Sequence, residues 1–181
     1  MKINFIFLRL IMKKFLYLSI LAYMIMLSGS VNANITITGG TSHGNSMQIP
    51  LDSNGFNLKY RYEVDSYPIS LMGSLIYTEC SAFSKRFYLK SQYGSIDAAP
   101  VYRLNHWASI YGGIGLGFSK FHSKHIIFTN NQFSFNDFGI ALIAGMQFNP
   151  TKHFIIDLGY ERTIMHQYNI NNIFAGIGYI F

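Results

Sequence analysis

Residues 56–65 alternate without interruption. Phe56, Leu58, Tyr60, Tyr62 and Val64 fall on one side, and Asn57, Lys59, Arg61, Glu63 and Asp65 on the other. Successive side chains leave a strand on opposite faces, so this spacing predicts a β-strand. Seven more segments repeat the pattern. In 34–43, Ile35 and Ile37 alternate with Thr36 and Thr38. Next, Ile69, Leu71, Gly73, Leu75 and Tyr77 oppose Ser70, Ser74 and Thr78. Ile96, Ala98, Pro100, Tyr102 and Leu104 oppose Tyr93, Ser95, Asp97, Ala99 and Arg103. Ala108, Ile110, Ile114, Leu116 and Phe118 oppose Ser109, Tyr111, Gly113, Gly115, Gly117 and Ser119. Phe138, Ile140, Leu142, Ala144, Met146 and Phe148 share one face of a sixth segment. In the seventh, Phe154, Ile156, Leu158 and Tyr160 oppose Asp157, Gly159 and Glu161. Ile173, Ala175, Ile177, Tyr179 and Phe181 share a face of the last.

The connections alternate in length. Short, turn-rich links fall at 65–68, 104–106 and 149–152, and longer polar ones at 44–54, 80–92, 122–136 and 163–171. Composition then decides what kind of sheet this is. Half of the residues are hydrophobic, 17% are aromatic and only 12% are charged, against about 25% charged in a soluble domain. No stretch after residue 33 has the run of about 18 apolar residues that a membrane helix needs. A closed β-barrel is the other architecture that satisfies its backbone in lipid. The expected fold is therefore all-β: an eight-stranded antiparallel transmembrane β-barrel with short periplasmic turns and long extracellular loops. A soluble, lipocalin-like barrel would turn the faces inside out and coat its whole exterior with that 12% of charge, too little for a water-facing surface.

In a transmembrane barrel the tyrosine-rich apolar face meets lipid and the charged face turns inward. Eight strands enclose a space that side chains fill, so the expected interior network is Lys59, Arg61, Glu63, Asp97, Arg103, Asp157 and Glu161. Gly113, Gly115, Gly117, Gly159, Gly176 and Gly178 leave room for long neighbours. Tyrosines 60, 62, 67, 77, 102, 160 and 179 suit the aromatic belts at the two interfaces. No general pore is expected.

The first residues read as a secretory signal, with Lys13 and Lys14, an apolar run over 15–27, then "SGSVNA". Cleavage is expected before Asn34, with 1–33 as signal peptide (Met12 being an alternative start) and 34–181 as the barrel domain. Lys2, Arg9, Lys13 and Lys14 leave with the signal, so the mature domain keeps ten Lys/Arg against eight Asp/Glu, a net charge of +2. The basic pI belongs largely to the signal, and no nucleic-acid partner is expected. Cys80 is alone, so no intramolecular disulfide forms.

Six stretches, "GFNLKYRYE", "GSLIYTE", "PVYRLNHWASIYGGIGLGFSKF", "GMQFNP", "DLGYE" and "AGIGYIF", resemble the Ail, Lom and outer membrane protein X family of small barrels from Gram-negative bacteria. The resemblance covers nearly every strand and is poor in the loops. It implies an eight-stranded monomeric barrel in the outer membrane, with no cofactor and no catalysis. It also implies surface attachment, host-cell invasion or complement resistance, with host matrix or complement-regulating proteins as partners. A structural barrel supporting envelope integrity and stress tolerance stays open beside it. The C-terminal row Ile173, Ala175, Ile177, Tyr179 and Phe181 resembles the strand that barrel-assembly machinery pairs with; Ile180 departs from it, as a polar residue is expected at that inward position.

The remaining chemistry is sparse. His122 and His125 lack Cys or carboxylate neighbours, so no metal site is expected. A lipid-modifying enzyme would need His, Asp and Ser converging at the outer rim, which only His122 or His125 with Asp137 and Ser123 offer, and an acyl cavity that a charge-filled interior opposes. Lys85, Arg86, Lys90, Lys120 and Lys124 cluster at the ends of the second and third long links, among Phe83, Phe87, Tyr88 and Phe121. They form either a surface for host ligands and polyanions or cations against lipopolysaccharide phosphates.

Overall fold

Eight antiparallel strands close on themselves in chain order. The computed structural model describes residues 33–46, 52–64, 67–83, 87–125 and 132–181. The strands are β1 (Ala33–Ser46), β2 (Ser53–Val64), β3 (Ile69–Phe83), β4 (Phe87–Arg103), β5 (Ala108–His125), β6 (Gln132–Phe148), β7 (Phe154–Met165) and β8 (Asn169–Ile180). β8 returns to β1 in the register Thr36↔Ile180 to Ser46↔Ile170. Closure leaves no free sheet edge along this seam.

The alternation sorts residues onto the two faces. Phe56, Leu58, Ile69, Leu71, Ile96, Ile114, Leu116, Phe138, Ile140, Leu158 and Ile177 all stand exposed on the outside. Lys59, Arg61, Glu63, Asp97, Asp157 and Glu161 are buried inside. A water-soluble protein does the reverse, so the exterior solvent is hydrocarbon. Tyr60, Tyr62, Tyr67, Tyr102, Trp107, Tyr160 and Tyr179 are exposed towards the ends of the apolar wall, as interfacial belts require.

The interior is not filled by charge alone. Met72, Ile76, Ala99, Val101, Tyr111, Ile143 and Phe174 form a buried apolar cluster beside the ionic groups. Met72 and Ile76 share the inward parity of Ser70, Ser74 and Thr78 but are apolar, and the sequence reading named neither as interior. Gly145 and Gly159 make the cluster possible, because a Cβ on either would collide with the Tyr111 hydroxyl. Ile180 is half-buried at the rim that holds both chain ends of the barrel.

Strand lengths correct the link boundaries. β3–β6 run 15 to 18 residues while β2, β7 and β8 run 12. Most of 80–92 and much of 122–136, read above as long links, is paired strand, ending at Phe83↔Tyr88 and Lys124↔Gln132. β7 stops pairing with β6 at Gly139↔Met165, and β6 continues for seven more residues, back to Gln132. That is about 23 Å along the strand at about 3.3 Å per residue. The barrel therefore has a tall wall, β3–β6, and a short side.

Candidate functional site

The tall wall is built by an alternation that changes sign. Within the apolar band, β5 shows Ile114, Leu116 and Phe118 outside and Gly115, Gly117 and Ser119 inside. Beyond Phe118 the outward positions become Lys120, His122 and Lys124, and the inward one becomes Phe121, which is buried. β6 does the same, with Phe138 giving way to Asn136 and Ser134 outside, while Phe135 is half-buried within. The chain stays in one strand while its surroundings change from lipid to water.

Inside the wall the aromatic residues close the mouth. Tyr93, Met165, Tyr168 and Ile170 are buried together with Phe135 against them. Phe135 lies 5.3 Å from Phe121, 5.6 Å from Phe133 and 5.9 Å from Tyr168, centroid to centroid. The Tyr168 and Ser119 hydroxyls are hydrogen-bonded. Phe121 thus belongs to this plug and not to the outer aromatic surface in which the sequence placed it.

Outside the wall, beyond the Tyr77 girdle, one polar clamp ties β3 to β4. Lys90 Nζ lies 2.8 Å from Glu79 Oε1. Tyr77 donates to Glu79 Oε2 at 2.6 Å, and Gln92 donates to the same oxygen at 2.9 Å. The Lys90 hydrogen bond, then those of Tyr77 and Gln92, hold the Glu79 carboxyl down at about 2. Glu79 likewise raises Lys90 above its ordinary value. Lys90 is therefore half committed to Glu79, a partner the sequence reading did not give it. Lys120 and Lys124 have no ion pair among the described residues. Lys85 and Arg86 lie outside the described residues, and so does the side chain of Phe87; Tyr88 is half-buried on β4. Below Lys120 the outer wall dips over Gly94 in a groove of about 450 Å³ bordered by Tyr77, Gln92, Phe118 and Asn136.

The structure brings the seven interior ionisable groups together in three sets. Lys59 and Asp157 are ion-paired, with the Lys59 ammonium 3.8 Å from the Phe174 ring centroid. Glu63 accepts both Arg61, at 3.1 Å, and Arg103; Arg61 also donates to Ser70 and Gln147, and Arg103 is half-exposed. Glu161 accepts from Tyr93 at 2.6 Å, Ser95 at 2.6 Å and Asn172 at 2.9 Å. Asp97 lies beside Ser95, 3.4 Å from its hydroxyl. Neutral donors around Glu161 and the apolar partners of Lys59 were missed in the sequence; only the inward parity of Tyr93, Ser95 and Tyr111 could have signalled them.

At the opposite rim, Ile173, Ala175, Ile177, Tyr179 and Phe181 are exposed along the outside of β8. Tyr179 packs on Phe181 at 5.0 Å and on Phe154 at 5.9 Å, and Phe181 N donates to Ile35 O. Among the described residues no group of three His, Cys, Asp or Glu is placed to hold a metal. The side chain of His125 lies outside the described residues, and His122 is half-buried on β5.

Residues 27–181 match the outer membrane protein β-barrel domain family. Outer membrane protein X of Enterobacter cloacae is 41% identical over 172 residues, covering 94% of this chain and all of that protein. The crystal structure of Ail, the attachment invasion locus protein of Yersinia pestis, superposes with a TM-score of 0.71 at 32% identity, over 82% of this chain and 97% of that one. Its complex with the heparin analogue sucrose octasulfate gives a TM-score of 0.69 at the same identity and coverage.

Proposed function

The chain belongs to the outer membrane protein β-barrel family, and from that premise we propose that the tall wall β3–β6 is an attachment surface for polyanionic ligands. It is a non-enzymatic barrel of the cell outer membrane, of the outer membrane protein X and Ail kind. The lipid-modifying reading is set aside with that membership. The observation that carries the attachment reading is the inverted alternation, which lifts Lys120, His122 and Lys124 out of the lipid on one rigid, outward face. Recognition residues held on a rigid scaffold keep their ordering cost low. A relative of this fold, the Yersinia pestis Ail protein, was crystallised with a heparin analogue, which fits a sulfated or otherwise anionic polysaccharide as the ligand class. Host-cell invasion and complement resistance are downstream consequences that attachment of this kind supports.

Charge reversal tests it. Changing Lys85, Arg86, Lys90, Lys120 and Lys124 to Glu leaves heat-modifiable folding intact, lowers attachment to host cells and to heparin-coated beads, and flattens the salt dependence of what remains, because exposed charge attraction is screened. Attachment equal to that of the parent protein removes this reading.

A second reading has its own observation. Lys120 stands over the apolar groove at Gly94, an arrangement that suits a lipopolysaccharide phosphate above an acyl chain and an envelope-integrity role. A folded five-charge variant that attaches normally but sensitises cells to detergents and bile salts favours it. The family premise also supports cleavage before Asn34, checked by N-terminal sequencing of envelope protein. It supports recognition of the β8 row ending in Phe181 by the assembly machinery, checked by the folding yield of Phe181→Ala in cells.

A further inference from the structure

The wall opposite β3–β6 carries a different chemistry. The register of β7, β8 and β1 sets its outward side chains in three rows: Leu158, Ala175 and Thr41; Tyr160, Ile173 and His43; Arg162, Asn171 and Asn45. In the first row Ala175 and Thr41 are shorter than their neighbours, and the wall dips into a groove of about 570 Å³ bordered by Leu158 and Ile173. A second groove of about 410 Å³ continues it upward, lined by His43, Asn45, Ser46, Asp52, Tyr160, Asn171 and Ile173. His43 and Ile173 border both. The two grooves adjoin on the outer wall: the lower is mainly apolar around Leu158, Ile173 and Ala175, with Thr41, His43 and Asn54 at its border, and the upper is polar.

The polar half is organised by its own hydrogen bonds. His43 Nδ1 lies 2.8 Å from Asn54 Oδ1. Tyr160 donates to Asn171 Oδ1 at 2.7 Å, and Asn171 reaches Asn45 Oδ1 at 3.5 Å. Amide groups on a lipid-facing wall cost free energy unless they are partnered, and each amide here keeps donor or acceptor capacity beyond these bonds. Among the described residues no Lys or Arg lines either groove. Asp52 borders the upper one, and Arg162 adjoins it at the end of the third row. One charge of each sign gives no net attraction for a phosphate, whereas fixed amides, a phenol and an imidazole offer the mixed donors and acceptors that hydroxyl groups match.

We propose that this wall binds the sugar head of a glycolipid, with one acyl chain lying in the lower groove. The site is separate from the cationic wall, and it uses hydrogen bonds where that wall uses charge.

The test uses the folded barrel held in amphipol, so that no detergent competes. Dodecyl maltoside, dodecylphosphocholine and dodecyl phosphate share one chain and differ in head group; each is titrated while the backbone amides of Asn45, Asn171 and Ile173 are followed by NMR. The maltoside is expected to saturate at a concentration at least tenfold lower than the other two. Ala175→Phe, which fills the lower groove from the lipid side, raises its half-saturation at least tenfold, and Thr41→Leu does the same if that variant folds poorly. Asn171→Ala weakens the maltoside alone. Equal saturation by all three amphiphiles, preference for the phosphate, or indifference to both groove-filling variants overturns the proposal.

Discussion

Replacing Lys59 by Met tests how the interior is held together. Lys59 and Asp157 are 1% and 0% exposed and ion-paired. Among the described residues the other hydrogen-bond partner of Asp157 is the Tyr111 hydroxyl at 3.0 Å. Met fills most of the volume of the lysine stem and keeps its contact with Phe174, so the change removes charge and leaves packing almost intact. What remains is a buried carboxylate with a single neutral donor. Breaking a buried pair in this way costs about 3–5 kcal/mol, because the surviving charge has lost its compensation. The lost cation–π contact lies within that figure and is worth about 0.5–2 kcal/mol where the cation is desolvated. Lys59→Met with Asp157→Asn removes both charges and leaves a neutral amide oxygen to accept from Tyr111. Buried pairs replaced together are often close to neutral, so the double variant is expected to recover most of the loss. Urea unfolding from lipid vesicles measures both, with the sole tryptophan, Trp107, as the fluorescent reporter; it lies exposed and stacked at 6.0 Å on Phe148. The difference between variants is expected to persist in high salt, since buried pairs are screened little. A Lys59→Met barrel within about 1 kcal/mol of the parent would refute the reasoning, since a broken buried pair should cost several times that. So would a double variant as unstable as the single one.

Three more outcomes follow from the same geometry. Arg at Leu58 or Leu142 on the lipid wall should cost about 2–4 kcal/mol near the midplane, while Arg at exposed Ser134 on the tall wall should be nearly neutral in the same lipid titration. Purified barrel in planar bilayers should show no large stable conductance, because the apolar cluster and the aromatic mouth fill the interior. The Glu79 carboxyl, held at about 2 against an ordinary 4.5, contributes stability to the strand-end clamp that is fully present above the ordinary value and lost as pH falls through about 2. Carboxyl NMR shifts should titrate there and move up in Lys90→Met, and a midpoint unmoved by that substitution would show that the clamp is not what depresses it.

The barrel was legible in the sequence because lipid enforces one rule over eight strands. Through most of the hydrocarbon band the outward row is apolar, as at Phe154, Ile156, Leu158 and Tyr160. Where the interior is also apolar the rule loses contrast. Met72 and Ile76 share the inward parity of Ser70 and Ser74 yet are as apolar as the outer row, and only closure of the sheet shows that they meet Tyr111 and Phe174. Which acid meets which cation was illegible for a related reason: Lys59 and Asp157 are 98 positions apart, and their meeting depends on strand tilt across the barrel.

The strand ends escaped for the opposite reason, and that bears on function. Once β4, β5 and β6 leave the membrane, the same period of two continues with its sign reversed: Lys90, Lys120, Lys124 and Asn136 outward, Tyr93, Phe121 and Phe135 inward. A reader tracking an apolar outer face sees the pattern end near Phe118 and assigns a loop. The physical meaning is that the sheet has entered water, where an outward cation costs nothing and an aromatic belongs inside. The point of inversion on each strand therefore marks the membrane boundary, and the described residues beyond it are paired sheet as far as Phe83↔Tyr88 and Lys124↔Gln132. On the attachment reading proposed above, ligand contacts on this sheet are held in fixed geometry, so a glycine inserted beside Lys120 should weaken attachment even though every charge remains. Attachment unchanged by that insertion would mean that the cations act only as a diffuse field.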